Sequence, residues 1–160
     1  MFGTKMVEAL SHAEVFAGLT GDDLKVISKA CQRFSFSEGD TLIEMGKPSS
    51  AFHIIIKGQV KVVLPERMER GRERRVSEII LNILHEGDCF GEYSLIEKKP
   101  GSASVIGQQS GEVLKLDKTR FEDLMTNDRI GKVVYRNLLR ILIRRLRKKE
   151  EELDLVLIAG

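Results

Sequence analysis

The sequence predicts a mainly β domain of short antiparallel strands, flanked by helices and ending in one long helix. Three observations carry this reading. Between residues 32 and 117, apolar runs of strand length alternate with turns that contain glycine. Such short strands between glycine turns indicate antiparallel pairing rather than βαβ crossovers. From Ile130 onward the apolar residues return instead at three- and four-residue steps, the period of a helix.

The first 30 residues read as helix, with Leu10, Val15, Phe16, Leu19, Leu24, Ile27 and Ala30 at roughly helical spacing. Thr20-Gly21-Asp22-Asp23 forms the cap of a second helix. After Cys31 the period changes: Phe34 and Phe36 alternate with serines, and Glu38-Gly39-Asp40 turns the chain. Leu42, Ile43 and Met45 give the next strand, closed by Gly46-Lys47-Pro48. Phe52 to Ile56 is a strand ended by Lys57-Gly58, and Val60, Val62 and Leu64 alternate in another. Pro65 to Arg75, dominated by Arg and Glu without apolar periodicity, is expected to be a solvated hairpin loop, poorly ordered over residues 66–75. Val76 to Leu84, Ser102 to Ile106 and Glu112 to Leu116 supply further strands, and Asp117 caps a helix carrying Phe121, Leu124 and Met125. The last helix runs from Ile130 to about Leu153. Leu139, Leu142, Leu146, Lys149, Leu153 and Val156 form a coiled-coil-like seam along it, so a homodimer through residues 130–156 is expected.

Composition narrows the function. A chain of 160 residues with 42% hydrophobic and 31% charged residues fits one soluble domain, here expected to be 1–31 N-terminal helices, 32–117 strands and 118–157 C-terminal helices. The net charge of +2 gives no argument for nucleic acid, and 6% aromatics with no Trp offer little stacking surface. Cys31 and Cys89 match no disulfide framework or metal spacing. No signal peptide or membrane span is readable, so a cytoplasmic protein without membrane attachment is expected. No motif for nucleophilic, metal-assisted or paired-carboxylate catalysis appears, so no catalytic residue, cofactor or metal is assigned. His53 reads as a packed histidine, His12 and His85 as surface residues, and Cys89 as a small buried hydrophobe.

The order of these pieces resembles the cyclic-nucleotide-binding domain family. The matching residues are Phe16-Ala17-Gly18-Leu19, Gly39, Gly46, Ile55-Ile56-Lys57-Gly58-Gln59-Val60, Glu86-Gly87-Asp88 and Phe90-Gly91-Glu92. Leu95, Pro100, Ser102-Ala103 and Arg145-Leu146 continue the match, so the resemblance covers Leu10 to about Leu153. It implies an antiparallel β-roll, a double-stranded β-helix of jelly-roll type, and a non-catalytic module that senses a ligand and signals through its C-terminal helix. It also implies that Gly91 to Ala103 is a phosphate-binding cassette for a small nucleotide, cAMP or cGMP. Within it Gly91 permits close approach of the backbone, and Glu92, Tyr93 and Ser94 open a short helix whose amides face an anion. By the same resemblance, Glu92 would accept from the ribose 2′-hydroxyl, and Ser102 and the Ala103 amide would donate to the phosphate. The family pattern places an arginine directly before that Ser-Ala pair, and here the position is Gly101. Lys98 and Lys99 are the nearby cations, each a point charge without the guanidinium fork. Binding of cAMP or cGMP is therefore expected to be weak. The neighbourhood after Arg145-Leu146, which contacts the purine in the family, is Arg147-Lys148-Lys149-Glu150 and does not identify a base.

Two alternatives stand beside the sensor. A degenerate member could act as a dimerisation scaffold for a protein partner through its last helix and Arg-rich loop. A transcription-regulator fragment would lack its DNA-binding domain, since only a few residues follow Leu153.

Overall fold

A computed structural model of the chain describes residues 2–65, 67–68, 75–97 and 99–160. Two strands of 14 residues organise it: β3 (Ala51–Leu64) and β8 (Ser104–Asp117), antiparallel along nearly their whole length. Around them lie β1 (Gln32–Phe36), β2 (Thr41–Ile43), the short β4 (Arg67–Met68) and β5 (Arg75–Val76), β6 (Ile79–Leu84) and β7 (Cys89–Phe90). The main sheet runs β1-β8-β3-β6, with β2 also on β8 and β7 also on β3, and every pairing is antiparallel.

The expected break at Lys57-Gly58 does not occur. The ladder slips its register between Ile55 and Val60 and then continues, so the residues on either side belong to one bent strand. Gly58 takes φ 83°, and a Cβ there would stand 2.6 Å from the Ser110 carbonyl, so glycine lets two backbones cross closely at the bend. The two strands read at Ser102–Ile106 and Glu112–Leu116 are likewise one strand, β8. The Arg-rich segment begins and ends as a hairpin, with Arg67 opposite Val76 and Met68 opposite Arg75. Residues 66 and 69–74, on which the expected disorder chiefly rests, lie outside the described residues.

The alternation of side chains along β3 divides the interior in two. Phe52 and Ile54 face the helices together with Leu114 and Leu116 of β8, while Ile55 and Val60 face the inside of the roll with Phe36, Ile43, Leu84, Phe90, Val105 and Val113. The helices on the first face are α1 (Phe2–Ser11), a 3₁₀ turn at Glu14–Phe16, α2 (Gly21–Ala30), α4 (Lys118–Met125) and α5 (Asp128–Ala159). The cap read at Thr20 is a reciprocal one: the Asp23 amide donates to Thr20 Oγ1 at 3.3 Å, and the Thr20 amide to the Asp23 carboxylate at 2.9 Å. Asp117 precedes α4 as expected but its side chain caps nothing there; its carboxylate lies 3.5 Å from Lys115.

The last helix starts earlier than its apolar period suggests, because Asn127 caps it by accepting from the Ile130 amide at 3.1 Å, and it runs on to Ala159, past the expected end near Leu153. Ile130, Val134, Leu138 and Ile141 bury its inner face. Buried Asn137 donates to the Val15 and Ala17 carbonyls at 3.0 and 2.8 Å, and Arg144 forms a two-pronged ion pair with Glu14 at 2.5 and 2.6 Å. Arg129 pairs with the buried Asp23. The first half of α5 is thus fixed to the N-terminal helices by polar contacts as well as packing.

Candidate functional site

The candidate site begins where β7 ends. Gly91 adopts φ 84°, and a Cβ there would lie 2.5 Å from the Ala51 carbonyl and 3.4 Å from His53 Nδ1. Only glycine can turn the chain so sharply against β3. The turn opens α3 (Glu92–Ile96), whose Ser94 hydroxyl donates back to the Gly91 carbonyl at 2.7 Å. Tyr93 is exposed.

Glu92 points inward and is only 6% exposed. A buried carboxylate needs a cation and hydrogen bonds. Arg145 supplies them from α5, donating to Glu92 Oε1 at 3.0 Å and, through its other terminal nitrogen, to the Cys89 carbonyl at 2.7 Å. One guanidinium therefore ties the long helix to both sides of the Gly91 turn. In the sequence Arg145 stands within a run of cations that reads as a solvated face, and only its match to the family pattern sets it apart. Its partner is 53 positions away, and no local period points across that distance.

The far side of the segment is held by backbone. The Gly46 amide donates to the Gly101 carbonyl at 3.0 Å, and Ser104 Oγ, buried and unremarked in the sequence, accepts from the Met45 amide at 2.9 Å. The β2 residue Ile43 spans the two ends: a Cβ on Gly91 or on Gly101 would each meet its side chain at 3.5 Å. Ser102 is exposed and Ala103 half-buried. Lys99 is exposed, its ammonium 3.6 Å from Glu97, while Lys98 lies outside the described residues. The structure thus brings Gly91 and Gly101 against the Ile43 side chain and joins Arg145 to Glu92, while Tyr93, Lys99 and Ser102 are exposed.

Beneath that turn lies His53. It is buried, stacked on Phe90 with ring centroids 4.7 Å apart, and its Nδ1 has no hydrogen-bond partner of good geometry among the described residues. Burial first, and then the charge of Lys115, push its pKa down from 6.5 to about 4, against the opposing pull of Asp117 and the Ala51 backbone. His53 is therefore neutral in the fold, whereas the unfolded chain takes up a proton below pH 6.5. This contribution to stability is complete above that pH, is lost as pH falls from 6.5 toward 4 and changes no further below. The loss is of the order of 3 kcal/mol. Urea denaturation from pH 7.5 to 4 checks it: His53→Phe is expected to flatten that portion of the profile, and an unchanged profile would refute the assignment. Burial likewise pushes the Cys31 and Cys89 thiols up to about 12, which leaves them protonated and unreactive.

Among the described residues no group of His, Cys, Asp and Glu is placed to hold a metal, and no helix is long and apolar enough to cross a membrane. The β-roll thus carries a glycine-opened turn that one arginine joins to the terminal helix. The chain belongs to the cyclic nucleotide-binding domain family, whose model matches residues 33–128. It is 32% identical to a cGMP-dependent protein kinase of Caenorhabditis briggsae over 123 residues, 76% of this chain and 16% of the kinase. It is 30% identical to the cyclic AMP receptor protein of Thermus thermophilus over 147 residues, 92% of this chain and 63% of that protein. Among solved structures, a cyclic nucleotide-binding domain from Methylobacillus flagellatus has the same fold, with a TM-score of 0.77 at 19% identity over 94% of this chain and 82% of that one. The chain spans less than a fifth of the kinase's length and under two thirds of the receptor protein's. It is a regulatory domain of the cyclic nucleotide-binding type.

Proposed function

We propose that the turn from Gly91 to Ala103 takes a cyclic mononucleotide, cAMP or cGMP, and that its occupation is read out by α5 without catalysis. The observation that carries this reading is the pair between Glu92 and Arg145. In the family pattern the carboxylate here accepts from the ligand's ribose, yet in this structure Arg145 already uses it. Ligand and helix therefore compete for one buried carboxylate, and a ligand that draws on Glu92 weakens the hold on α5. A ligand shifts the helix only by its differential affinity for the two arrangements, and sharing of Glu92 supplies that difference. The ridge of leucines on α5 joins two copies of the chain, which makes the helix a suitable output.

A thermal-shift screen of cyclic mono- and dinucleotides tests the proposal. At 1 mM, cAMP or cGMP bound with a dissociation constant of tens of micromolar stabilises the fold by roughly 2 kcal/mol, which is a shift of several degrees. The shift should shrink sharply in Glu92→Ala. No shift with any cyclic nucleotide would leave the scaffold reading in its place.

A further inference from the structure

We propose that Ser77 is a phosphorylation site for a serine kinase whose peptide groove carries carboxylates. The Arg-rich segment leads straight into it, through Arg74-Arg75-Val76-Ser77-Glu78. Two adjacent arginines thus stand two and three residues before a hydroxyl, and no other Ser or Thr of the chain has that setting. A guanidinium fork matches a carboxylate two-pronged, and kinases choose substrates by such charge patterns. The backbone around Ser77 suits an acceptor. Among the described residues, β4 and β5 are two residues long and pair only with each other, in a sheet apart from the main one. An isolated pair of strands is marginally stable and opens at little cost, which lets a kinase take up the segment in extended form. Ser77 and Glu78 then link β5 to β6 outside any strand, and both are exposed. The Ser94 and Ser104 hydroxyls are engaged with the Gly91 carbonyl and the Met45 amide, whereas that of Ser77 has no partner among the described residues.

Charge gives the modification its effect. Residues 66–75 hold five arginines against three glutamates, an excess of two positive charges. A phosphoserine carries about −1.5 to −2 at pH 7, enough to cancel that excess. It also sets an anion beside Glu78, whose carboxylate holds Lys61 of β3 at 2.6 Å, so that two anions compete for one ammonium. In the step itself Ser77 Oγ bonds to the γ-phosphorus of ATP while the bond from that phosphorus to its bridging oxygen breaks. ADP leaves, and the hydroxyl proton passes to a carboxylate of the kinase.

The full chain, incubated with ATP and the catalytic domain of a basophilic serine kinase, tests the assignment. Intact mass should show a single phosphoryl group added, and peptide mapping should place it on Ser77. Ser77→Ala should take up none while melting at the wild-type temperature, because the residue is exposed and outside the strands. Arg75→Ala should slow uptake by about ten- to a hundredfold, the effect of one charge-assisted contact. Uptake undiminished in Ser77→Ala, a phosphoryl group placed on another hydroxyl, equal rates for Arg75→Ala and wild type, or no uptake at all would each overturn the inference.

Discussion

Gly101→Arg is expected to tighten cAMP or cGMP binding by one to two decades. A charge-assisted hydrogen bond is worth about 1.5–3 kcal/mol, and each decade of affinity corresponds to about 1.4 kcal/mol. The backbone permits the change. Gly101 is not among the glycines with positive φ, and a Cβ there would meet the Ala103 carbonyl and Ile43 at 3.5 Å, an ordinary contact. The side chain would thus be added to a formed turn. Isothermal calorimetry on wild type, Gly101→Arg and Gly101→Arg/Glu92→Ala decides the matter, and the last variant should lose much of the gain. Tight binding by the wild type would show that another cation already serves the phosphate. An unresponsive Gly101→Arg protein would remove the cassette from the proposed site.

Arg145→Ala should destabilise the fold by about 3–5 kcal/mol, the usual cost of leaving one partner of a buried ion pair without the other. For a domain of this size that corresponds to a melting temperature lower by roughly 10 °C. Glu92→Gln in the same background should recover part of the loss, because an amide needs no countercharge. The informative feature is the opposition of two readouts. Arg145→Ala frees the carboxylate proposed above to accept from the ligand, so intrinsic affinity for cyclic nucleotide should rise while stability falls. A variant in which both fall would mean that Arg145 supports the ligand rather than competing with it.

What could be read in the sequence was what is local. The Thr20 cap, the change of period after Cys31 and the turn at Gly91 follow from residues within a few positions of one another, and the structure contains all three. Gly58 misled because glycine marks both an end and a bend. Whether the ladder resumes depends on Ser110 and Gly111 across the sheet, which the local pattern does not reveal. Of the seam read on α5, Leu139, Leu146, Leu153 and Val156 are exposed, but Leu142 is half-buried and Ile143 exposed, so the exposed ridge is rotated toward Ile143. Lys149, read as a member of that seam, donates to the Leu81 carbonyl of β6 at 2.5 Å. Arg145 was hidden for the same reason: a cation's partner is chosen by tertiary packing, not by its neighbours in the chain.

The position of β8 sets the order in which the chain can acquire structure as it is synthesised. β1, β2 and β3 all take partners from it, through pairs such as Gln32 with Lys115 and Val63 with Ser104. A ribosome delivers the first three strands long before their common partner, so they wait with open edges that invite pairing with other chains. Contacts so distant in sequence close slowly, on the scale of milliseconds to seconds. The turn at Gly91 emerges before β8 but is completed after it, since Ser104 fastens Met45 only once that strand is in place. Translation halted before Ser104 would thus release a chain with every residue of the turn but without the Ser104 and Arg145 contacts that fasten it.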